Sequence, residues 1–172
     1  MKPRTGRMAV VVPNGVLFRG GAEGTIRQKL VEENLLDAVI GLPDKLFFGT
    51  GIPAAILVFR KRKADDSVIF IDASREYDEG TNQNRLGPAQ VDRIVATYLA
   101  RTSVEKYAHR ATLADIRGND FNLNLPRYVD TYEEEGQIDL MAIRAERLRL
   151  KSEMEGLETR MAGYLQELGY GS

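Results

Sequence analysis

The chain has 172 residues, 43% of them hydrophobic and 28% charged, a balance that suits one globular domain or a domain with an appendage. Its 24 basic and 25 acidic residues leave a formal net charge of -1, which argues against an autonomous DNA-binding module while leaving room for a local basic patch. The absence of cysteine excludes disulfides, thiolate metal sites and a cysteine nucleophile. With no apolar run of membrane-spanning length and no start of the signal-peptide type, a cytoplasmic protein is expected.

Residues 8–12 are a valine-rich run of the kind buried on both faces of a parallel sheet. The run stops at Pro13-Asn14-Gly15, strong turn chemistry. Residues 25–34 predict a helix with Ile26, Leu30 and Val31 on one face and Asn34 as its stop. Residues 37–42 predict a second buried strand, so that strand, helix and strand form a right-handed crossover unit. Residues 43–53 are a loop holding Phe47, Phe48, Gly49 and Gly51, followed by a third strand at 54–59 and a fourth at 68–72. The short polar tip between those two strands, Arg60-Lys61-Arg62-Lys63 with Asp65-Asp66, predicts an antiparallel hairpin. An α/β fold follows, with a mostly parallel sheet that ends in that hairpin.

Residues 74–87 are polar and predict a loop; Pro88 then opens a helix with Val91, Ile94, Val95, Tyr98 and Leu99 as its apolar stripe. Residues 102–129 are irregular, with a helical turn at 113–116 and an extended stretch at 121–129. The acidic run Glu133-Glu134-Glu135 with Gly136 marks a boundary. Beyond it Leu140, Ile143, Arg147, Leu150, Met154, Leu157, Met161, Tyr164 and Leu168 recur at spacings of three and four, a heptad seam with one polar member. Gly156 and Gly163 each weaken such a helix by about 1 kcal/mol relative to alanine, so the helix is expected to need a partner. The chain is thereby parsed into 1–72, 73–136 and a helical tail at 137–172.

The succession of a strand, Pro13-Asn14-Gly15-Val16-Leu17-Phe18, a helix with Ile26-Arg27, a strand, Leu42-Pro43, Phe47-Phe48-Gly49-Thr50-Gly51-Ile52 and a strand resembles one family. It is similar to the modification (M) subunits of type I restriction–modification systems, adenine-N6 DNA methyltransferases, downstream of their catalytic strand. Phe121-Asn122-Leu123-Asn124-Leu125-Pro126-Arg127-Tyr128-Val129 continues the likeness, which reaches about Tyr132. The resemblance implies the C-terminal half of a Rossmann-like methyltransferase sheet with a helical, coiled-coil tail. It implies an activity for the full-length subunit: methyl transfer from S-adenosylmethionine to adenine N6 in DNA. The glycine-containing cofactor loop and the Asn-Pro-Pro-aromatic tetrapeptide of the family do not occur in these residues. This chain alone is therefore expected to be inactive, with no catalytic residue of its own. The alternative is a truncated, non-catalytic subunit that acts as an interaction module for a specificity subunit.

An enzyme acting on a base takes it out of the duplex, and the resemblance gives the stacking aromatic to Phe47, with Phe48 as the adjacent competitor. Pro13 and Asn14 are expected at a strand's carboxyl end, lining the cleft, though a simple turn explains them too. Arg60, Lys61, Arg62 and Lys63 are candidates for phosphate contact, although a solvated hairpin tip explains them better. No metal is expected, because no acidic or histidine residues show ligand spacing. Implied partners are DNA and the specificity and restriction subunits, with the seam Ile143, Leu150, Met154, Leu157, Met161, Tyr164 and Leu168 facing a partner helix. A homodimer through an exposed sheet edge is a further expectation.

Overall fold

The computed structural model describes residues 5–131 and 140–170. The chain divides into two compact units, Met1–Tyr132 and Glu133–Ser172. The boundary proposed at Glu133-Glu134-Glu135-Gly136 lies outside the described residues.

The first unit is built on five strands. Strand β1 (Arg7–Pro13) leads through a short 3-10 turn (Asn14–Leu17) into α1 (Gly21–Glu32) and then β2 (Leu36–Gly41). β3 (Ala54–Arg60), β4 (Val68–Asp72), α2 (Pro88–Ala100), β5 (Ala108–Ala111) and α3 (Leu113–Gly118) follow. The sheet order is β1-β3-β2-β4-β5. All six residues of β2 are buried, which explains why, apart from Asp37, its sequence is apolar rather than alternating: both of its faces are covered.

Alternation along the strands sorts the core into two layers. Val39, Leu57, Phe59 and Phe70 point to one face and meet Leu17, Val31 of α1, Ile116 of α3 and Leu123. Ala38, Ile40, Ile69 and Ile71 point to the other and meet Ile94 and Tyr98 of α2. Tyr128 lies flat on Phe70, with ring centroids 3.7 Å apart and planes 10° apart. Arg27 pins α1 to its surroundings by donating to the carbonyls of Phe121, Val16 and Arg19.

Two expectations about the sheet are overturned. It is not mostly parallel: β1 with β3, β2 with β3 and β4 with β5 are antiparallel, and only β2 with β4 is parallel. Nor do β3 and β4 form a hairpin. β3 already has β1 on one edge and β2 on the other, so no edge is left for β4, and the chain crosses the end of β2 to pair on its far side. Lys63 donates to the Leu36 carbonyl (2.6 Å) and Asn34 to the Asp65 carbonyl (3.1 Å), fastening that crossing. A short polar tip is compatible with either route, and the choice is made by which edge is free. The expected crossover through α1 is present, since β1 and β2 are both antiparallel to β3, but β3 is inserted between them.

Smaller differences have local causes. α1 starts at Gly21 rather than residue 25, because its N-cap, Gly20, carries no side chain to announce it. Residues 121–129 are not one extended run: Asp120 and Phe121 both have φ near 53°, and Leu125–Arg127 forms a 3-10 turn. In the second unit, α4 (Leu140–Glu167) spans 28 residues and none of its side chains is buried. Among the described residues no helix is long and apolar enough to cross a membrane.

Candidate functional site

The pairing of Pro13 with Ala54 sets the end of β1 beside the start of β3. The Asn14 amide donates to the Pro53 carbonyl (3.1 Å) and the Leu42 amide to the Ala54 carbonyl (2.9 Å). The loop 43–53 is therefore closed at its base and rises over the carboxyl ends of β1 and β2. There it frames an open hollow of 240 Å³ whose walls include Val11, Pro13, Phe47, Thr50, Ile52 and Pro53.

The loop's shape follows from its residues. The Thr50 amide donates to the Phe47 carbonyl (3.4 Å), and Gly49 between them adopts φ 77°, a conformation that costs a side-chain-bearing residue about 1–2 kcal/mol. The Thr50 hydroxyl then accepts from the Ile52 amide (3.1 Å). This turn separates the two aromatics: Phe47, 43% exposed, is a wall of the hollow, whereas Phe48 is 95% exposed and is not among its walls. Pro13 joins Phe47 in the hollow; Asn14 stands at its base, committed to Pro53 through its backbone.

The hollow is apolar. Its one hydroxyl, on Thr50, accepts from the Ile52 amide, and none of its walls carries an acid or a base to activate it, so the hollow is suited to holding a flat apolar face rather than to moving a proton. It offers neither a carboxylate for ribose hydroxyls nor a glycine-rich cradle, and these residues do not fit S-adenosylmethionine. Among the described residues no group of three or more His, Cys, Asp or Glu is placed to hold a metal ion.

The basic tip is elsewhere. The same register that puts Pro13 opposite Ala54 puts Arg7 opposite Arg60, at the other end of the strands. Seven residues of strand separate the two ends by roughly 20 Å. Arg60, Lys61, Arg62 and Lys63 thus do not share a cleft with Phe47. Lys63 is committed to Leu36, and burial pulls the pKa of its ammonium below the ordinary value. Beside it, buried Asp37 accepts from the Tyr98 hydroxyl (2.5 Å) and from Arg101 (3.0 Å), while Arg101 also donates to the Ser67 carbonyl. This network ties the carboxyl end of α2 to β2 and β4.

A second apolar hollow of 190 Å³ lies beneath α1, among Ile26, Leu30, Leu57 and Phe59. Arg27 on its rim is occupied by three backbone carbonyls, and burial lowers its pKa; Glu23 is the other charged residue in the lining. On α4 the seam residues Ile143, Leu150, Met154, Leu157, Met161 and Tyr164 are exposed, as is Leu168 just beyond the helix end.

Sequence reasoning missed two residues that shape the loop. Asn84, 6% exposed, donates through Nδ2 to both the carbonyl and the carboxylate of Asp44, at 3.0 and 3.1 Å, and its amide donates to the Lys45 carbonyl at 3.0 Å. Gln83 donates through Nε2 to the Leu46 carbonyl at 2.6 Å. Nothing in a polar stretch nearly 40 residues away signals that contact.

Residues 2–137 match the N-6 DNA Methylase family. The type I restriction enzyme MjaVIII methylase subunit of Methanocaldococcus jannaschii is 34% identical over 169 residues, covering 94% of this chain and 29% of that protein. The MpnII methylase subunit of Mycoplasma pneumoniae is 32% identical over 164 residues, covering 95% of this chain and 30% of that protein. Among solved structures, a type I restriction-modification system methyltransferase subunit from Streptococcus thermophilus superposes with a TM-score of 0.72 at 50% identity, over 74% of this chain and 27% of that one. The chain thus spans under a third of the length of these curated relatives. With a match over most of its first unit and structural agreement at that level of identity, the chain belongs to the N-6 DNA methylase family, where it is similar to the methylase subunits of type I restriction enzymes.

Proposed function

We propose that this chain is the distal, substrate-side part of a type I modification subunit, and that its hollow receives the adenine taken out of the DNA duplex. The observation that carries this reading is the placement of Phe47 as a wall of an apolar hollow at the carboxyl end of β1, beside the start of β3; the carboxyl ends of strands are where open α/β sheets take their ligands. An unpaired base needs a flat apolar surface, and base–aromatic stacking contributes about 1–3 kcal/mol. The rest of the subunit supplies the Asn-Pro-Pro-aromatic tetrapeptide and the site for S-adenosylmethionine, so adenine-N6 methylation belongs to the full-length protein and not to this chain.

Two features support a larger assembly. The outer edge of β1 has no strand partner among the described residues, and Val11 on it is 54% exposed, as suits a sheet that continues into the preceding part of the subunit. α4 presents an exposed apolar seam of 3-4 spacing, suited to the helices of a specificity subunit in a type I complex with its restriction subunit. That seam also favours a second reading, in which the chain alone serves as a non-catalytic module for binding the specificity subunit.

The test is made in the full-length subunit assembled with its specificity subunit. Phe47→Ala is expected to lower the methylation rate at least tenfold, within the range that loss of base stacking allows, while Phe48→Ala stays near wild type. Equal losses from both substitutions overturn the assignment.

A further inference from the structure

The stretch from Asp78 to Arg85 is polar and contributes little to the core, yet it is held in a defined shape. Asp78 and Arg85 pair as a two-residue antiparallel bridge through both backbone amides, at 2.8 and 3.0 Å. Gln90 at the start of α2 donates to the Asp78 carboxylate (3.0 Å), tying the bridge to a helix that packs on the sheet. Gly80 allows the tip to turn, since a Cβ there would sit 2.3 Å from the Gln83 carbonyl oxygen.

What this shape presents is Gln83 and Asn84, side by side, each aimed at the loop that carries Phe47. Their four donations fall on three successive residues, Asp44, Lys45 and Leu46. Lys45 needs the help: its φ is 50°, a left-handed conformation that disfavours a side chain. Leu46 is held from the other side, because its side chain packs with the core layer that contains Ile40 and Ala54. The next residue is Phe47. Backbone carbonyls of an exposed loop are ordinarily left to water; here those of Asp44, Lys45 and Leu46, three in a row immediately before the aromatic, are engaged by Gln83 and Asn84.

We infer that the Gln83–Asn84 pair is a positioning device for Phe47, a clamp that fixes residues 44–46 so that the aromatic ring stands as a wall of the hollow. The inference rests on the reading of Phe47 as the base-stacking residue. Neither Gln83 nor Asn84 is a catalytic residue: both touch the loop and not the hollow. A stacking surface is useful only if it is already in place when the base arrives, and small displacements of a positioned group cost rate steeply.

The experiment uses the full-length subunit assembled with its specificity subunit and a DNA duplex containing the target. Gln83→Met keeps the length of the side chain and removes the donor to Leu46. Asn84→Ser, a smaller change than deletion at a buried position, provides a second variant should the first leave the clamp closed. Amide hydrogen exchange over residues 44–50 is expected to accelerate several-fold in either variant while the strands keep their protection. The methylation kcat is expected to fall on the order of tenfold, with KM for S-adenosylmethionine unchanged, and the Phe47→Ala/Gln83→Met double variant is expected to be no slower than Phe47→Ala alone. Unchanged exchange at 44–50 in both variants overturns the clamp, as does a double variant whose losses multiply. A wild-type rate for Phe47→Ala, with exchange at 44–50 still raised by Gln83→Met, sinks the stacking reading and leaves the clamp as a structural contact without that purpose.

Discussion

Tyr128 shows what a single side chain in this fold is asked to do. Its ring covers Phe70 and its hydroxyl donates to the Asn122 carbonyl at 2.7 Å, so the residue closes the segment 122–128 onto the sheet. Burial pushes its pKa up to about 12. The unfolded phenol ionises near 10, so between those values the unfolded chain has lost a proton that the folded chain keeps. Stability from this residue is complete below about pH 10 and is lost as pH rises towards 12. Tyr128→Phe is expected to cost about 1 kcal/mol at neutral pH through the missing hydrogen bond. It should lose less stability than wild type between neutral and strongly alkaline pH, so the gap between the two proteins narrows; urea midpoints of both at each pH check this. The residues of the candidate site divide in the same way between local and distant causes. The aromatic pair beside Gly49 was visible in the sequence, and the resemblance assigned Phe47 its role. Which of the two phenylalanines faces the hollow depends on the turn closed by Thr50, and that depends on a backbone bond that no residue type announces. Gln83 and Asn84 were invisible because their partners lie 37 and 40 residues away.

Elements were legible where their signals are local. Pro88 sits at the first turn of α2 as expected, because a proline costs nothing where no helical N–H partner exists. The helical turn near residue 113 is confirmed as α3, held by a capping box in which Thr112 and Asp115 satisfy each other's backbone amides. β5 was missed: its four residues, two polar side chains between two alanines, carry no strand pattern, and only pairing with β4 makes them a strand. The parallel bias was an error of the same origin, since a buried run reads alike whichever way its neighbours point. For α4, the sequence pattern and the helix agree over Leu140–Glu167. A Cβ added at Gly156 or Gly163 meets nothing within 4 Å, so alanine fits at either site. Each Gly→Ala change is expected to favour the helix by about 1 kcal/mol, read as increased helical circular dichroism of a peptide spanning the tail. Unchanged helicity in both would mean that the glycines do not limit this helix.

For the whole molecule, the proposed assembly places two demands on one chain: a sheet to be continued and a helix to be partnered. The second is open to direct test. Leu150→Glu with Leu157→Glu puts two charges into the middle of the seam and leaves the sequence of the first unit unchanged. The pair is expected to abolish co-purification of the full-length subunit with its specificity subunit while leaving S-adenosylmethionine binding intact. Retained co-purification would show that the partner uses another surface.

The open side of β1 has a practical meaning. An edge strand with no strand partner on its outer side among the described residues, and with Val11 exposed on it, is a natural seam for reconstitution in trans. On the proposed function, the rest of the subunit and this chain, supplied separately, are expected to methylate only when mixed, as a strand is laid against β1. Methylation itself would then be the reporter of their association.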